Sequence, residues 1–124
     1  MIEIVVRGEK KPLELTVQGY ADVCALCPDG KMENIEKMAA KPLPEYTMFC
    51  MKVLAALSKA AEERRAFEQP DYQPRPLTME ALTTLSMGEV RKFVGGMNHI
   101  LVQLMGEPDV EVDDSVKKKT AASR

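Results

Sequence analysis

Four side chains in this sequence are of the types that bind metal ions or carry out redox chemistry. Cys24 and Cys27 form a C-x-x-C pair, and Cys50 and His99 are the other candidates. A C-x-x-C pair can be a redox centre or half of a zinc site. A redox pair of the thioredoxin type stands at the exposed start of a helix within a βαβ unit. Here both cysteines fall on the apolar stripe of a short predicted helix, which favours buried structural thiols.

A zinc site is the second interpretation of these residues. It would have to combine Cys24, Cys27, Cys50 and His99 from different helices, without a second closely spaced ligand pair. A small zinc-binding regulatory module is therefore kept as an alternative. The favoured expectation is that the chain holds no metal and no cofactor.

No catalytic centre can be assembled from the spacing of the other polar residues. His99 is the only histidine and is predicted on the polar side of the last helix, away from any Ser–His–Asp arrangement. The paired acids Glu62 and Glu63 precede two arginines and are typical of a solvated helix end. The sequence therefore predicts a protein that is not an enzyme.

The length, composition and net charge of the chain exclude several other classes of function. The chain has 124 residues, 45% of them hydrophobic, which suffices for one core, and its formal net charge of −2 offers no basic field to nucleic acid. No apolar run reaches the roughly 18–20 residues that span a bilayer. Three cysteines without a secretory signal suit a reducing cytosol. Nine methionines and no tryptophan suit both an irregular core and an adaptable protein-binding surface.

The apolar pattern predicts an α+β fold that is mostly helical. Alternation over residues 2–6 and 13–17 predicts a β-hairpin (2–17), with a polar turn from Gly8 to Pro12. Helical periodicity then predicts five helices, over about 19–27, 32–40, 45–67, 79–85 and 86–105. Together they make a single globular domain over residues 1–106, followed by a flexible charged tail over 107–124 that should be dispensable for folding.

The apolar stripe of each predicted helix gives its expected core residues. The first helix has Tyr20, Val23, Cys24 and Cys27, and the second has Met32, Ile35 and Met38. The third helix is expected to bury Tyr46, Phe49, Cys50, Val53, Leu57, Ala60 and Ala61, with Lys52, Lys59, Glu62 and Glu63 facing water. The last helix is expected to bury Met87, Val90, Val94, Met97, Leu101 and Leu104, and Phe93 and Ile100 widen this apolar stripe.

The last helix carries the strongest local signals in the sequence. Ser86 and Glu89 form a capping box that opens it. Gly95 and Gly96 in its middle each cost about 1 kcal/mol relative to alanine, so close packing, a bend in the helix or a partner should account for them. Gly95, Val102 and Met105 share a side that lies off the main stripe. Close packing within the fold and contact with another chain are both open explanations, and the second makes these three residues candidates for partner binding.

The order of these features resembles the tail assembly chaperones of long-tailed bacteriophages. The opening IEIVVRGEKKPLELTVQGYADV is similar to their short hairpin and following helix, through Gly8, Lys10, Pro12, Leu13 and Leu15. The likeness continues through LAALSKAAEERR, PLTMEAL and SMGEVRKFVGGMNHIL, and covers about residues 1–105 as an order of elements. The cysteine pair and the proline-rich 70–76 segment depart from the family pattern.

The resemblance implies a helper protein that binds the tape measure protein and keeps it soluble while tail tube subunits assemble around it. It further implies contact with the tail tube protein, self-association, action in the cytoplasm of the infected bacterium, and absence from the mature virion. Lys117–Lys119 would fit a frameshifting site near the end of the frame. A generic helical adaptor remains the least specific alternative.

Overall fold

A computed structural model describes residues 2–106 of the chain, so the predicted tail over 107–124 lies outside the described residues. Two antiparallel strands, β1 (Ile2–Val6) and β2 (Glu9–Leu13), open the fold. Five α-helices follow: α1 (Val17–Leu26), α2 (Ile35–Ala39), α3 (Leu43–Glu68), α4 (Met79–Thr83) and α5 (Met87–Met105). The predicted class, mostly helical with an N-terminal hairpin, is confirmed.

The second strand of the hairpin lies earlier than predicted. The turn consists of Arg7 and Gly8 alone, with φ of 51° and 82°, and Val6 pairs directly with Glu9. Positive φ at both central residues is typical of the tight turns that match strand twist. The prediction of a strand over 13–17 is therefore wrong. Polar residues at 9–11 resemble a loop in sequence, yet they suit a strand of a small hairpin with one face in water.

Helix α1 begins two residues earlier than predicted, because the Thr16 side chain caps it by accepting from the Gly19 N–H at 3.0 Å. Val23 and Cys27 are buried as predicted, whereas Tyr20 is 41% exposed and does not belong to the core. The reason is that the side of α1 bearing Gly19, and not the side bearing Tyr20, packs against α3. A Cβ on Gly19 would lie only 2.9 Å from the Cβ of Ala60.

Helix α3 is the centre of the domain and packs against α1, α2, β2, α4 and α5. Because neighbours cover it on several sides, it buries more than the single predicted stripe. Leu54, Met51 and Ser58 are as inaccessible as the predicted Cys50, Val53 and Leu57. The predicted Tyr46 is half-buried.

Glu62 is buried, which corrects the prediction that it faces water. Its side chain is 3% exposed. Its carboxylate accepts hydrogen bonds from the Tyr72 hydroxyl and, at 2.9 Å, from the Arg75 backbone N–H. Together with a bond of 2.8 Å from the Leu77 N–H to the Ser58 hydroxyl, these contacts fix the proline-rich segment along α3. Glu63 is exposed, as predicted.

The capping box that opens α5 is confirmed. The Ser86 hydroxyl accepts from the Glu89 N–H at 3.2 Å, and the Glu89 carboxylate accepts from the Ser86 N–H at 2.8 Å. The hydrogen bond from the Ser86 backbone N–H lowers the pKa of the Glu89 carboxyl. The helix buries Val90, Phe93, Met97 and Leu101 against the rest of the domain. No helix between residues 2 and 106 is long and apolar enough to cross a membrane.

Candidate functional site

The three cysteines do not come together around one site. Cys27 and Cys50 are buried, and Cys24 is half-buried on α1. The Cys27 thiol donates to the Val23 carbonyl at 3.4 Å, as a core thiol on a helix does. His99 lies exposed on α5. Within residues 2–106 no group of three or more His, Cys, Asp or Glu side chains could hold a metal ion.

Burial also keeps two of these thiols protonated. It raises the pKa of Cys50 to about 11 and raises the pKa of Cys27 as well. A thiolate is the form that attacks disulfides and binds zinc. At neutral pH these two side chains therefore behave as small apolar groups, and nothing in the described part of the chain supports the zinc-binding alternative.

The three partner-binding candidates share an exposed face of α5. Val102 is 60% exposed and Met105 is 52% exposed. Gly95, which lies nearer the start of the helix, is exposed as well. Met87, predicted in the core stripe, is 55% exposed and belongs to this face instead. At about 100° per residue, Met87, Arg91, Gly95, Asn98, Val102 and Met105 fall within one narrow sector. We call these six residues the α5 face.

The two mid-helix glycines are not explained by packing within the domain. A Cβ added at Gly95 or at Gly96 would meet nothing within 4 Å. Close packing inside the fold, one of the explanations left open by the sequence, is therefore wrong for the described residues. The cost of two glycines in a helix is not offset by any neighbour among them.

A second apolar surface was not anticipated from the sequence. The end of α1, the short α2 and the first turns of α3 enclose an open groove of about 410 Å³. Its apolar walls are Leu26, Met38, Pro44, Met48 and Phe49, and Glu45 and Lys52 stand at its rim. We call it the α1–α3 groove.

Two apolar side chains at and beside this groove are exposed. Met48 in its wall is 44% exposed, and Leu43, which precedes the wall residue Pro44, is 58% exposed. Neither Glu45 nor Lys52 forms an ion pair with another described residue. The available signal in the sequence was Met48, which is apolar but falls outside the stripe of α3.

A polar cleft lies at the opposite end of α3 and has a structural explanation. Lys10, Arg65, Tyr72 and Arg75 surround the buried Glu62 there. The Arg65 guanidinium stacks on the Tyr72 ring, 4.2 Å from its centroid. The cleft is thus the place where the proline-rich segment is fastened to α3.

Comparison of the chain with protein-family models, curated proteins and solved structures found no match.

Proposed function

We propose that this protein is a non-enzymatic tail assembly chaperone that binds the tape measure protein of a long-tailed phage and keeps it soluble. The proposal comes from the sequence resemblance, and the α1–α3 groove is the observation that supports it. A client with long amphipathic helices needs a concave apolar surface that adapts to different side chains. A groove bordered by Met38 and Met48 has that character, because thioether side chains are flexible and polarisable.

The charges at the rim would set the direction of a bound helix. Glu45 and Lys52 lie two turns apart on α3 and have opposite signs. They would pair with a basic and an acidic position two turns apart on the client. Such rim contacts contribute more to register than to affinity. Binding would take place in the cytoplasm of the infected cell, before the virion is complete.

Co-expression with a tape measure protein tests the proposal. We expect the wild-type chain to increase the soluble fraction of the tape measure protein. Met48→Glu should remove most of that effect, because a charge in the groove must be desolvated on binding. Val17→Glu is the matched control, since Val17 is 91% exposed at the other end of α1.

The outcomes separate the function from the site. No effect of the wild-type chain on the tape measure protein would exclude the chaperone function. A wild-type effect that Met48→Glu leaves intact, with both variants folded, would retain the function and exclude the groove. Binding of other helical proteins but not of the tape measure protein would favour a general adaptor. The gene order offers an independent check, with a tail tube gene upstream and a very long tape measure gene downstream.

A further inference from the structure

We infer that the polar cleft at the far end of α3 binds a compact phosphate group, either as inorganic phosphate or as the terminal group of a small phosphomonoester. The cleft has a volume of about 280 Å³, and three separate elements line it. Lys10 comes from β2, Arg65 from α3 and Arg75 from the proline-rich segment. We call it the Arg65 cleft. It lies away from the α1–α3 groove, so phosphate binding is independent of any helical client.

The Arg65 cleft carries an excess of positive charge. Four cations and two acids line it, which leaves a net charge of +2: Lys10, Lys11, Arg65 and Arg75 against Glu9 and Glu62. Glu9 is paired with Lys11 at 3.5 Å. Lys10, Arg65 and Arg75 form no ion pair with any residue between positions 2 and 106. Since the whole chain has a net charge of −2, this positive charge is a local feature.

The buried acid of the cleft is bonded to neutral donors and leaves the guanidinium groups unused. Glu62 accepts at Oε1 from the Tyr72 hydroxyl and from the Arg75 backbone N–H. In the described part of the chain, neither the Arg65 nor the Arg75 guanidinium donates a hydrogen bond to a protein acceptor. A guanidinium group has five N–H donors, and those of both arginines are therefore available to a ligand.

The ring of Tyr72 fixes the orientation of the first of these arginines. The guanidinium carbon of Arg65 lies over that ring, 4.2 Å from its centroid. In a stacked guanidinium the donors lie in the plane of the group and are not covered by the ring. The hydrogen bond to Glu62 orients Tyr72 in turn. Arg65 therefore loses less side-chain freedom on binding an anion than an unstacked arginine would.

The second guanidinium is held in place by the backbone of its own residue. Arg75 is anchored by the 2.9 Å bond from its N–H to Glu62, and both of its sequence neighbours are prolines with restricted φ. The hydrogen bond to Glu62 raises the pKa of Tyr72, and the charges of Arg65 and Arg75 both oppose that rise. Both cations thus lie near the Tyr72 hydroxyl.

A phosphate dianion matches this set of donors. Its two negative charges balance the net charge of the cleft. The planar fork of an arginine binds two oxygens of a phosphate at once, and Lys10 adds a third cation as a point charge. A neutral or cationic ligand would leave the excess positive charge uncompensated.

The surface beside the cleft restricts the ligand to a small one. A neighbouring hollow shares Lys10 and Arg65 with the cleft but also contains three acids, Glu3, Glu14 and Glu68. The arginine of that hollow, Arg64, is paired at 3.4 Å with each of two of these acids. A nucleic-acid strand or an acidic polypeptide that left the cleft in this direction would meet carboxylates of its own sign. The charge distribution therefore favours a compact anion.

The affinity should be modest, because Lys10, Arg65 and Arg75 are all exposed to solvent. Salt screens exposed charges, so binding should weaken as sodium chloride is added. We expect a dissociation constant on the order of 1 mM for inorganic phosphate at low ionic strength.

A nuclear magnetic resonance titration of the full, isotope-labelled chain with inorganic phosphate tests the site. At pH 7.5 the phosphate is mostly dianionic. The backbone signals of Lys10, Arg65 and Arg75 should shift and saturate, and those of the α1–α3 groove should stay in place. Sodium chloride at the same ionic strength should not reproduce these shifts. Shifts that never saturate, or that spread evenly over the exposed cations of the chain, would overturn the inference.

Two neighbouring arginines provide a matched pair of variants. Arg65→Gln should raise the dissociation constant about tenfold, because a cation with a bidentate contact is lost. Arg64→Gln removes the same charge at the next position, but Arg64 is already paired with acids, so the constant should change less than twofold. Equal effects of the two substitutions would reveal a diffuse field and exclude a site.

Arg65→Lys isolates the part played by the planar fork. It keeps the charge but can neither stack on Tyr72 in the same way nor bind two oxygens in one plane, so binding should weaken severalfold. The melting temperature should remain that of the wild-type chain, since Arg65 is exposed and makes no ion pair within residues 2–106. Unchanged phosphate binding by this variant would contradict the proposed geometry.

The choice of anion identifies the source of the phosphate group. Glycerol phosphate that binds as tightly as inorganic phosphate or more tightly would assign the cleft to a phosphomonoester, and weaker binding would assign it to free phosphate. Succinate, a dicarboxylate of the same charge, should bind at least fivefold more weakly than the better of the two. Succinate of equal affinity would overturn the phosphate assignment. Tighter binding of an acidic peptide or of a single-stranded oligonucleotide would overturn the restriction to a compact anion.

Discussion

The carboxylate of Glu62 accepts a hydrogen bond from the hydroxyl of Tyr72, and this contact joins the middle of the domain to its proline-rich segment. The same carboxylate accepts from the Arg75 N–H, so one buried acid fixes two points of a stretch that has no regular structure. The hydrogen bond to Glu62 also raises the pKa of Tyr72.

Glu62→Ala should lower the free energy of unfolding by roughly 1–3 kcal/mol, because the Tyr72 hydroxyl and the Arg75 N–H both lose their acceptor. Glu63→Ala is the matched control. Glu63 is exposed and, among the described residues, pairs with Lys59 at 3.6 Å, so its replacement should change stability by less than about 0.5 kcal/mol. Urea unfolding of both variants gives the comparison. Equal stability of the two variants would contradict a buried anchoring role for Glu62.

A second prediction concerns the close approach of α1 to α3. Gly19→Ala places a Cβ 2.9 Å from that of Ala60, which no ordinary contact allows. The helices must move apart, and we expect a loss of about 1–3 kcal/mol. Gly95→Ala should instead raise the free energy of unfolding by about 1 kcal/mol, because a Cβ there meets nothing within 4 Å in the described part of the chain. Replacing glycine by alanine should therefore lower the free energy of unfolding in α1 and raise it in α5.

A double-mutant cycle identifies the cause at Gly19. Ala60→Gly alone should destabilise α3 through helix propensity. In the Gly19→Ala background it should cost less, because it also removes the clash. Additive effects of the two substitutions would show that the Cβ atoms do not meet.

These positions show what the sequence could and could not predict. The number and order of the helices follow from periodicity, and the cap at Ser86 follows from two side chains three residues apart. The burial of Glu62 depends on Tyr72 and Arg75, which reach it only in the folded chain. The sequence places Gly19 at the start of a helix but does not reveal that α3 approaches it there.

Of the two candidate surfaces, one could be predicted from the sequence and the other could not. Gly95, Val102 and Met105 could be assigned to one exposed side from helical spacing alone. The α1–α3 groove could not, since its walls come from three helices whose relative placement the sequence does not give. The alternation of residues 13–17 matches a strand and so predicts a later turn than the one at Arg7-Gly8. A proline can stand in an edge strand, and Pro12 does so here by pairing with Glu3.

A third prediction concerns Thr47, whose hydroxyl is buried without a hydrogen-bond partner among the described residues. Thr47→Val replaces that hydroxyl with a methyl group of similar size and should raise the free energy of unfolding by about 1 kcal/mol. Thr47→Ser keeps the hydroxyl and loses the methyl, so it should be less stable than wild type. A Thr47→Val variant that is less stable than wild type would mean that the hydroxyl does have a partner.

The last prediction links the buried thiols to stability at alkaline pH. Burial raises the pKa of Cys50 from an ordinary value near 9 to about 11. The folded state therefore prefers the protonated thiol more strongly than the unfolded state does. Its contribution to stability is complete below about pH 9 and is lost as the pH rises from there toward 11. The free energy of unfolding should fall over that interval.

Cys50→Ala separates this effect from general alkaline unfolding. At pH 7 the variant should be less stable by about 1–2 kcal/mol, because a buried sulfur is removed from the core. Its stability should then decline less steeply than wild type between pH 9 and 11. Val53→Ala is the matched control, because it removes buried atoms from the same helix but no ionisable group, and it should keep the wild-type slope. A thiol reagent at pH 8 should accordingly modify Cys24 in the folded protein well before Cys50. Rapid modification of Cys50 without unfolding would contradict the burial on which this prediction depends.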